Sequence, residues 1–210
     1  DIQAHGYSNS VLTQIESAST INVGNIFADT YYGSGGDISL SAVGGISAYN
    51  LHLDSTTCCL KIPGSVFLKS STAYISAGTI NAANDYGGQI TVRSGTYTDL
   101  GDLSTIGGRS ATIGSSNIAI TAGTSIAVGD VTNHVIGCCN FHGGDLNFSA
   151  GSSIYYESIK AGTANNDTAG NVTLTAGSSI SGGSIDTSDG QAGNVTLAAN
   201  NQISVGLINA

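Results

Sequence analysis

The sequence predicts an all-β protein, a parallel β-helix (β-solenoid) of about eight coils of 23–28 residues. Three observations predict this fold: a scarcity of helix-forming side chains, an excess of glycine, and an apolar pattern that recurs along the chain. Of the 210 residues, 30 are Gly and only 9% are charged. Charged residues make up about a quarter of an ordinary soluble domain and supply most surface-helix formers. Long amphipathic helices are therefore excluded, and Ser, Thr and Asn must solvate the surface.

The repeat consists of apolar residues at fixed spacings. In one copy Val172 is at position 0, apolar residues follow at +2, +8 and +13, and a small residue lies at +4. Copies begin, at intervals of 23 to 28 residues, at Thr13, Ile38, Val66, Ile90, Ile118, Leu146, Val172 and Val195. The copies at Thr13, Val66 and Ile90 are weaker, and the Val66 copy has one inserted residue.

A single coil of this kind cannot bury its apolar side, whereas stacked coils can. Residues 0 and +2 point to one side of a strand, and residues +1 and +3 point to the other. Parallel pairing of each strand with its copy in the next coil lines up the apolar positions as continuous ladders. A sandwich of antiparallel hairpins is the competing architecture. It is disfavoured because regular Asn-Gly or Asp-Gly two-residue turns are lacking.

Glycine and amide residues recur at the predicted corners. A Gly at −2 precedes most copies, and Asp, Asn or Gln often follows at −1, as in Gly170-Asn171. We expect the −1 side chains to stack as a polar ladder that satisfies backbone groups of the turn. A second Gly recurs at +5, for example Gly123 and Gly177. There we expect a turn with positive φ.

The repeat predicts one solenoid domain over residues 1–210, with weaker repeats in 1–34. Ile2 occupies the same position, +13, as Ile208, and neither belongs to a polar capping coil. An uncapped solenoid exposes apolar ends and unpaired strand edges. We therefore expect either a fragment of a longer array or a subunit that stacks end to end.

Charge and hydropathy exclude several classes of partner. The formal net charge is −9, and no basic stripe is present to neutralise phosphate, so no nucleic-acid partner is expected. The same charge disfavours anionic membrane surfaces. No apolar run approaches the ~18 residues of a membrane span, so no membrane insertion is expected.

The four cysteines form two vicinal pairs, which favour an oxidising compartment. Cys58-Cys59 and Cys138-Cys139 lie at the same positions, +20 and +21, of two coils. Three coils separate the pairs, about 14 Å along the axis, which is further than a disulfide spans. Vicinal disulfides, cross-links to a neighbouring subunit and metal ligation remain as alternatives, with disulfides favoured.

The metal alternative rests on a short cluster of soft ligands. His134, Cys138, Cys139 and His142 lie within nine residues, which suits Zn or Cu. Their spacing matches no zinc motif, and the group of His52 with Cys58-Cys59 resembles this cluster only loosely. The favoured interpretation is a pair of solvated loop histidines beside a disulfide, with no metal.

One pair of carboxylates suits an enzymatic alternative. Asp102 and Asp130 both occupy +12 of successive coils, and a separation of about 5 Å would resemble that of retaining glycosidases. Asn25 and Asn50 hold the same position in earlier coils, which favours a polar, solvent-facing ladder instead. The chain also has no Trp, which a sugar groove is expected to carry. We therefore expect no enzymatic activity and no cofactor.

Three segments resemble a known class of bacterial repeats. They are GGDISLSAVGGISA (35–48), GNVTLTAGSSISGGSI (170–185) and GNVTLAANNQISVGLINA (193–210). They are similar to repeats of filamentous-haemagglutinin-like exoproteins and of the glycine-rich "beta strand repeat" proteins of bacteria. The resemblance implies a right-handed parallel β-helix, export to the cell surface or medium, and an adhesive or fibre-forming role.

Together these observations favour a secreted, extracellular or cell-surface structural and adhesive solenoid that forms or belongs to a filament. The expected partners are further copies of the chain, associated end to end or laterally with disulfide links. A glycan or a cell-surface receptor is a further expected partner. The alternative function is a β-helix protein that binds or degrades polysaccharide.

Overall fold

The structure, a computed structural model, describes residues 1–6, 11–30, 36–53, 64–82, 88–107, 116–135, 143–163 and 168–210. These residues form strands and turns and no helix. In chain order the strands are β1 (Ile2–Gly6), β2 (Leu12–Ser17), β3 (Ile21–Asn22), β4 (Ile26–Thr30), β5 (Asp37–Ala42), β6 (Ile46–Ala48), β7 (Leu51–His52), β8 (Ser65–Ser70), β9 (Ile75–Ala77), β10 (Ile80–Asn81), β11 (Gln89–Ser94), β12 (Thr98–Leu100), β13 (Leu103–Gly107), β14 (Ile118–Ala122), β15 (Ser125–Val135), β16 (Leu146–Ala150), β17 (Ser153–Thr163), β18 (Val172–Ala176), β19 (Ser179–Gly182), β20 (Ile185–Asp186), β21 (Val195–Ala199), β22 (Gln202–Val205) and β23 (Ile208–Asn209).

The strands that carry position 0 form one sheet. It has eight strands in the order β2-β5-β8-β11-β14-β16-β18-β21, one from each predicted copy. Its register pairs position 0 with position 0: Thr13 lies opposite Ile38, and Ile118 lies opposite Leu146. The repeat is therefore confirmed even at the weak copy that begins at Thr13.

The strands at +8 and +13 form a second sheet of fifteen strands. Its two columns are joined because β15 and β17 each run through both positions without a break. The pairings of the described strands are parallel, from Ile2 opposite Ile26 to Ile185 opposite Ile208. The β-solenoid is thus confirmed, and the antiparallel sandwich is wrong.

The number of complete turns is slightly smaller than the predicted eight. The first and last strands of the eight-stranded sheet, β2 and β21, are each paired on one side only. Six of the eight coils therefore have a described neighbour on both sides in this sheet, and the solenoid amounts to about six turns.

Inward-facing side chains from every column form one hydrophobic core. In β18, for example, Val172, Leu174 and Ala176 are buried, and the threonines between them face outward. This alternation follows from the period of two in an extended strand. The largest fully buried side chains are Tyr156 and Phe148. Phe148 lies between Ile120 and Leu174 in its column, and Tyr156 lies between Val128 and Gly182.

The expected positive φ at the +5 glycines is wrong. Among the described glycines only Gly190 has a positive φ, of 84°. At Gly123, Gly151 and Gly177, a Cβ atom would instead overlap the carbonyl oxygen of the glycine one coil earlier. Glycine is needed here because neighbouring corner backbones stack too closely for a side chain. The −2 glycines follow the same rule, since a Cβ on Gly170 would overlap the carbonyl oxygen of Gly144.

The inserted residue of the Val66 coil is accommodated at a corner. The Ser70 hydroxyl donates to the Gly44 carbonyl oxygen at 2.7 Å and accepts the Ala73 amide at 3.1 Å. The next strand then begins at Ile75, which pairs with Ile46 of the preceding coil. The register of the core is therefore kept despite the longer corner.

Candidate functional site

The predicted polar ladder at −1 exists in the structure. In this acceptor ladder, a side-chain oxygen of one coil accepts the backbone amide of the equivalent residue in the next coil. The rungs are Asp37 to Ser65 at 2.7 Å, Asn117 to Asp145 at 2.9 Å, Asp145 to Asn171 at 2.9 Å and Asn171 to Asn194 at 3.1 Å. Three rungs satisfy the backbone N–H of the residue just before a strand begins, and the rung at Ser65 satisfies that of the first residue of β8. This prediction is confirmed.

A second acceptor ladder runs along position +12 and contains both candidate catalytic carboxylates. Asp102 Oδ1 accepts the Asp130 backbone amide at 3.0 Å, and Asp130 Oδ1 accepts the Ser158 hydroxyl at 2.6 Å. Earlier rungs use amides, since Asn50 Oδ1 accepts the Thr79 amide at 3.0 Å. The two carboxylates therefore lie on adjacent coils, as predicted.

In the structure both carboxylates act as hydrogen-bond acceptors. Each of Asp102 and Asp130 uses an oxygen to bind the following coil, and both side chains are exposed. Arg93, which precedes Asp102 in the same coil, lies on the other sheet. Arg109, which follows Asp102, lies outside the described residues. The arrangement matches the polar ladder expected from Asn25 and Asn50.

Of the cluster formed by His134, Cys138, Cys139 and His142, the structure describes His134 alone. Its Nδ1 atom is buried and has no hydrogen-bond partner there. Nearby, Lys160 Nζ lies 2.9 Å from Asp189 Oδ2. Burial lowers the pKa of His134, the Lys160 charge lowers it further, and Asp189 opposes both effects. The imidazole is therefore held in its neutral form.

The remaining candidate ligands and all four cysteines lie outside the described residues: Cys58, Cys59, Cys138, Cys139 and His142. The disulfide prediction and the cross-link prediction therefore stay predictions. In the part of the chain that is described, no group of three or more His, Cys, Asp or Glu is placed to hold a metal ion. His52 is described, and the centroid of its ring lies 6.0 Å from the centroid of the Phe27 ring.

A buried amide inside the solenoid was missed by sequence reasoning. Asn133 is fully buried, and its Nδ2 donates to the carbonyl oxygens of Ser116 at 2.6 Å and Gly144 at 2.7 Å. It lies opposite Ala161 and Thr105 in its column, so it points inward. One signal in the sequence would have identified it. Asn133 lies two residues after the +13 position, where the adjacent coils carry Thr or Ala.

Two side-chain pairs on the surface were also missed. Lys69 of β8 lies opposite Arg93 of β11, and both side chains are exposed. Tyr74 stacks on Tyr97, with ring centroids 5.3 Å apart and an angle of 10° between the planes. The signal for the first pair is that both residues occupy +3 in consecutive copies.

Comparison with models of protein families, with curated proteins and with solved structures finds no match to this chain. Within the residues that the structure places, no helix has the length and apolar character needed to cross a membrane.

Proposed function

We propose that this protein is a secreted structural and adhesive solenoid that forms or belongs to an extracellular filament in which coils stack along one axis. One observation carries the proposal: the core columns are open at the last coil. Ile203 and Ile208 are 45% and 43% exposed, whereas their equivalents one coil earlier, Ile180 and Ile185, are fully buried. A further coil on this face, whether it continues the same polypeptide or comes from a second copy, would bury them as the other coils bury one another.

A second copy of the chain has the right chemistry and register for this position. Strands β21, β22 and β23 are each paired on one side only, and so are β1, β2 and β3 at the opposite end. Ile2 begins the column that ends at Ile208. Pairing β1 of one copy with β23 of another would continue the +13 strand ladder and its apolar column. A head-to-tail contact of this kind is heterologous and generates an open filament.

The lateral surface supports the adhesive and extracellular parts of the proposal. The chain has only five Lys or Arg, so sites for trypsin-like proteases are few. Ser, Thr and Asn occupy most outward strand positions, as at Thr173 and Thr175 of β18. Parallel stacking places equivalent residues about 4.8 Å apart on neighbouring coils. A filament would therefore present each outward side chain as part of a long, repetitive, hydrogen-bonding surface.

Electron microscopy and sedimentation of the purified chain test filament formation. We expect unbranched filaments from the native chain and none from Ile208→Lys, because a charge on the core column cannot be buried in a stacked interface. The neighbouring Leu207→Lys is the matched control. Leu207 is more exposed, at 69%, and lies on the +12 column outside the core. It should leave filaments unchanged.

A monomer at all concentrations, or filaments from Ile208→Lys with the native frequency, would contradict end-to-end stacking. Circular dichroism and thermal melting should show that both variants fold. Immunogold labelling of intact producing cells then tests the location, with label on the surface or in the medium expected. Label confined to permeabilised cells would contradict it.

A further inference from the structure

Two cations stand side by side on the outer face of the eight-stranded sheet. Lys69 and Arg93 are in register on β8 and β11, so their backbones are about 4.8 Å apart. They are two of only five Lys or Arg in the chain. The ion pairs of the described residues, His5 with Asp29 and Lys160 with Asp189, involve neither of them. Both charges therefore face solvent without a described counter-ion.

The two cations destabilise the pairing of β8 with β11, because like charges directly opposite one another in a strand pair repel each other. The rungs on either side are neutral hydroxyls, because Ser41 lies opposite Lys69 and Thr121 lies opposite Arg93. The outward +3 column thus carries uncharged residues next to the two cations, and one carboxylate, Glu16, opposite Ser41. An anionic group held between the two side chains would remove their repulsion and gain charge-assisted hydrogen bonds.

The same two coils also place two aromatic rings together. Tyr74 precedes β9 and Tyr97 precedes β12, and these strands pair in register. The rings stack at 5.3 Å, and Tyr97 is 43% exposed. The space beneath Tyr74 is kept by Gly45, where a Cβ would lie 2.6 Å from the ring. A tyrosine presents an apolar ring face and a polar edge, which suits contact with a sugar ring.

An open groove lies beside the two cations. Its lining includes Lys69, Arg93, Ser71 and Gly95. Tyr97 follows the lining residue Gly95 by two positions, and Tyr74 follows Ser71 by three, so both tyrosines belong to the corners that end at this groove. A ligand with a charged group and an adjoining ring would contact both pairs.

We propose that Lys69, Arg93 and Tyr97 form a binding site for a carboxylated polysaccharide, that is, a glycan containing uronic acids. The guanidinium of Arg93 has the planar fork that matches a carboxylate, and Lys69 adds a second positive charge. Tyr97 stacks on the ring of the bound or adjacent sugar. The net charge of −9 opposes wrapping by a long polyphosphate. A local site for one or two carboxylates is compatible with it because salt screens the more distant charges.

The site deepens the adhesive role proposed above, and its test is independent of filament formation. Isothermal titration calorimetry with oligogalacturonate, in parallel with neutral maltohexaose, measures binding to the native chain and to the non-stacking Ile208→Lys variant. We expect both proteins to bind oligogalacturonate and not maltohexaose. Replacing both cations, in Lys69→Gln with Arg93→Gln, should weaken binding at least about tenfold. Tyr97→Ala should weaken it with both cations present.

Lys160→Gln is the matched control, because it removes a cation from a different part of the surface. It should leave the affinity for oligogalacturonate unchanged, and thermal melting should show that every variant folds. Equal affinity of the double variant and the native chain would overturn the site, as would equal binding of maltohexaose or no binding at all. Tighter binding of dextran sulfate or single-stranded DNA would overturn the assignment to carboxylates. If binding fails while filaments persist, only this inference is lost.

Discussion

Tyr156 lies opposite Gly182 on neighbouring parallel strands, and its ring occupies the space that a side chain at Gly182 would need. A Cβ at Gly182 would lie 2.5 Å from the ring carbon that bears the hydroxyl group. The ring is fully buried, so it has little room to move aside. The glycine in β19 is thus explained by one large side chain in β17.

Gly182→Ala should lower the free energy of unfolding by about 1–3 kcal/mol, because an overpacked core forces side chains off their rotamers. Ser181→Ala, one residue earlier, lies outside the core and should change it by less than about 0.5 kcal/mol. Chemical denaturation monitored by circular dichroism measures both. Combining Gly182→Ala with Tyr156→Leu should recover part of the loss, and full additivity of the two changes would argue against the contact.

The hydroxyl group of Tyr156 should be dispensable for stability at neutral pH. It is buried and has no hydrogen-bond partner among the described residues, which costs free energy on folding. Tyr156→Phe keeps the ring and removes the unpaired group. We therefore expect its free energy of unfolding to equal or exceed that of the native chain by up to about 1 kcal/mol. A clear destabilisation in thermal melts would show that the hydroxyl group has a partner.

The same hydroxyl group predicts a pH dependence at alkaline pH. Burial raises the pKa of Tyr156 to about 12, compared with about 10 in an unfolded chain. Its neutral form is therefore favoured by folding. This contribution is fully present below pH 10 and is lost as pH rises from 10 through 12. The unfolding free energy should fall less steeply over this range in Tyr156→Phe. Identical slopes would contradict the assignment, and the other tyrosines cancel in the comparison.

The stacked core predicts a sharp contrast between adjacent residues of β17. Ile154 is fully buried opposite Ile126, whereas Tyr155 is 52% exposed. Ile154→Asp, and equally Ile126→Asp, should prevent folding or assembly because the carboxylate has no partner inside the solenoid. Tyr155→Asp should be tolerated within about 0.5 kcal/mol. Thermal melting and sedimentation measure both, and a cooperative, native-like melt of Ile154→Asp would contradict the stacked core.

The hydrogen bonds of Asn133 predict that the free energy of unfolding depends on a donor at this buried position. Its amide donates to the carbonyl oxygens of Ser116 and Gly144. Asn133→Leu leaves both acceptors without this donor and should cost about 2–4 kcal/mol of unfolding free energy. Asn133→Asp should cost more at neutral pH, because an ionised carboxylate would face two carbonyl oxygens. Denaturant titrations measure the order, and Asp tolerated better than Leu would contradict the inferred donor role.

The +12 acceptor ladder predicts which substitutions of Asp102 are tolerated. Asp102→Asn keeps a side-chain oxygen for the Asp130 amide, as Asn50 does for Thr79. It should leave stability within about 0.5 kcal/mol. Asp102→Ala removes the acceptor and should cost about 1 kcal/mol. Thermal melting measures the difference. If Asn and Ala destabilise equally, the carboxylate charge matters more than the acceptor.

The sequence and the structure agree where a side chain's position follows from periodicity. The apolar columns and the −1 ladder were predictable because parallel stacking repeats the same residue type at the same place. The +5 glycines were explained wrongly, because sequence alone does not distinguish a left-handed turn from a close approach between coils such as Gly151 over Gly123.

Asn133 and the stacked Tyr74 and Tyr97 were missed for a related reason. Each depends on its neighbours in the adjacent coils and appears in only one or two copies, so no repeat marks it. The cysteine pairs and His142 lie in longer segments between the repeats, where periodicity carries no positional information. The structure does not describe these segments, and the predictions for them remain those of the sequence.

The acceptor ladders have a direction that matters for how the chain reaches its fold. In the four −1 rungs described above, the earlier coil supplies the side-chain oxygen and the later coil supplies the backbone amide. During synthesis the N-terminal coils emerge first, so each coil leaves the ribosome with its acceptors already in place for the coil that follows. Repeat proteins can fold by propagation from one unit to the next. We therefore expect the coils to fold one after another from the N-terminus, each on the coil that folded before it.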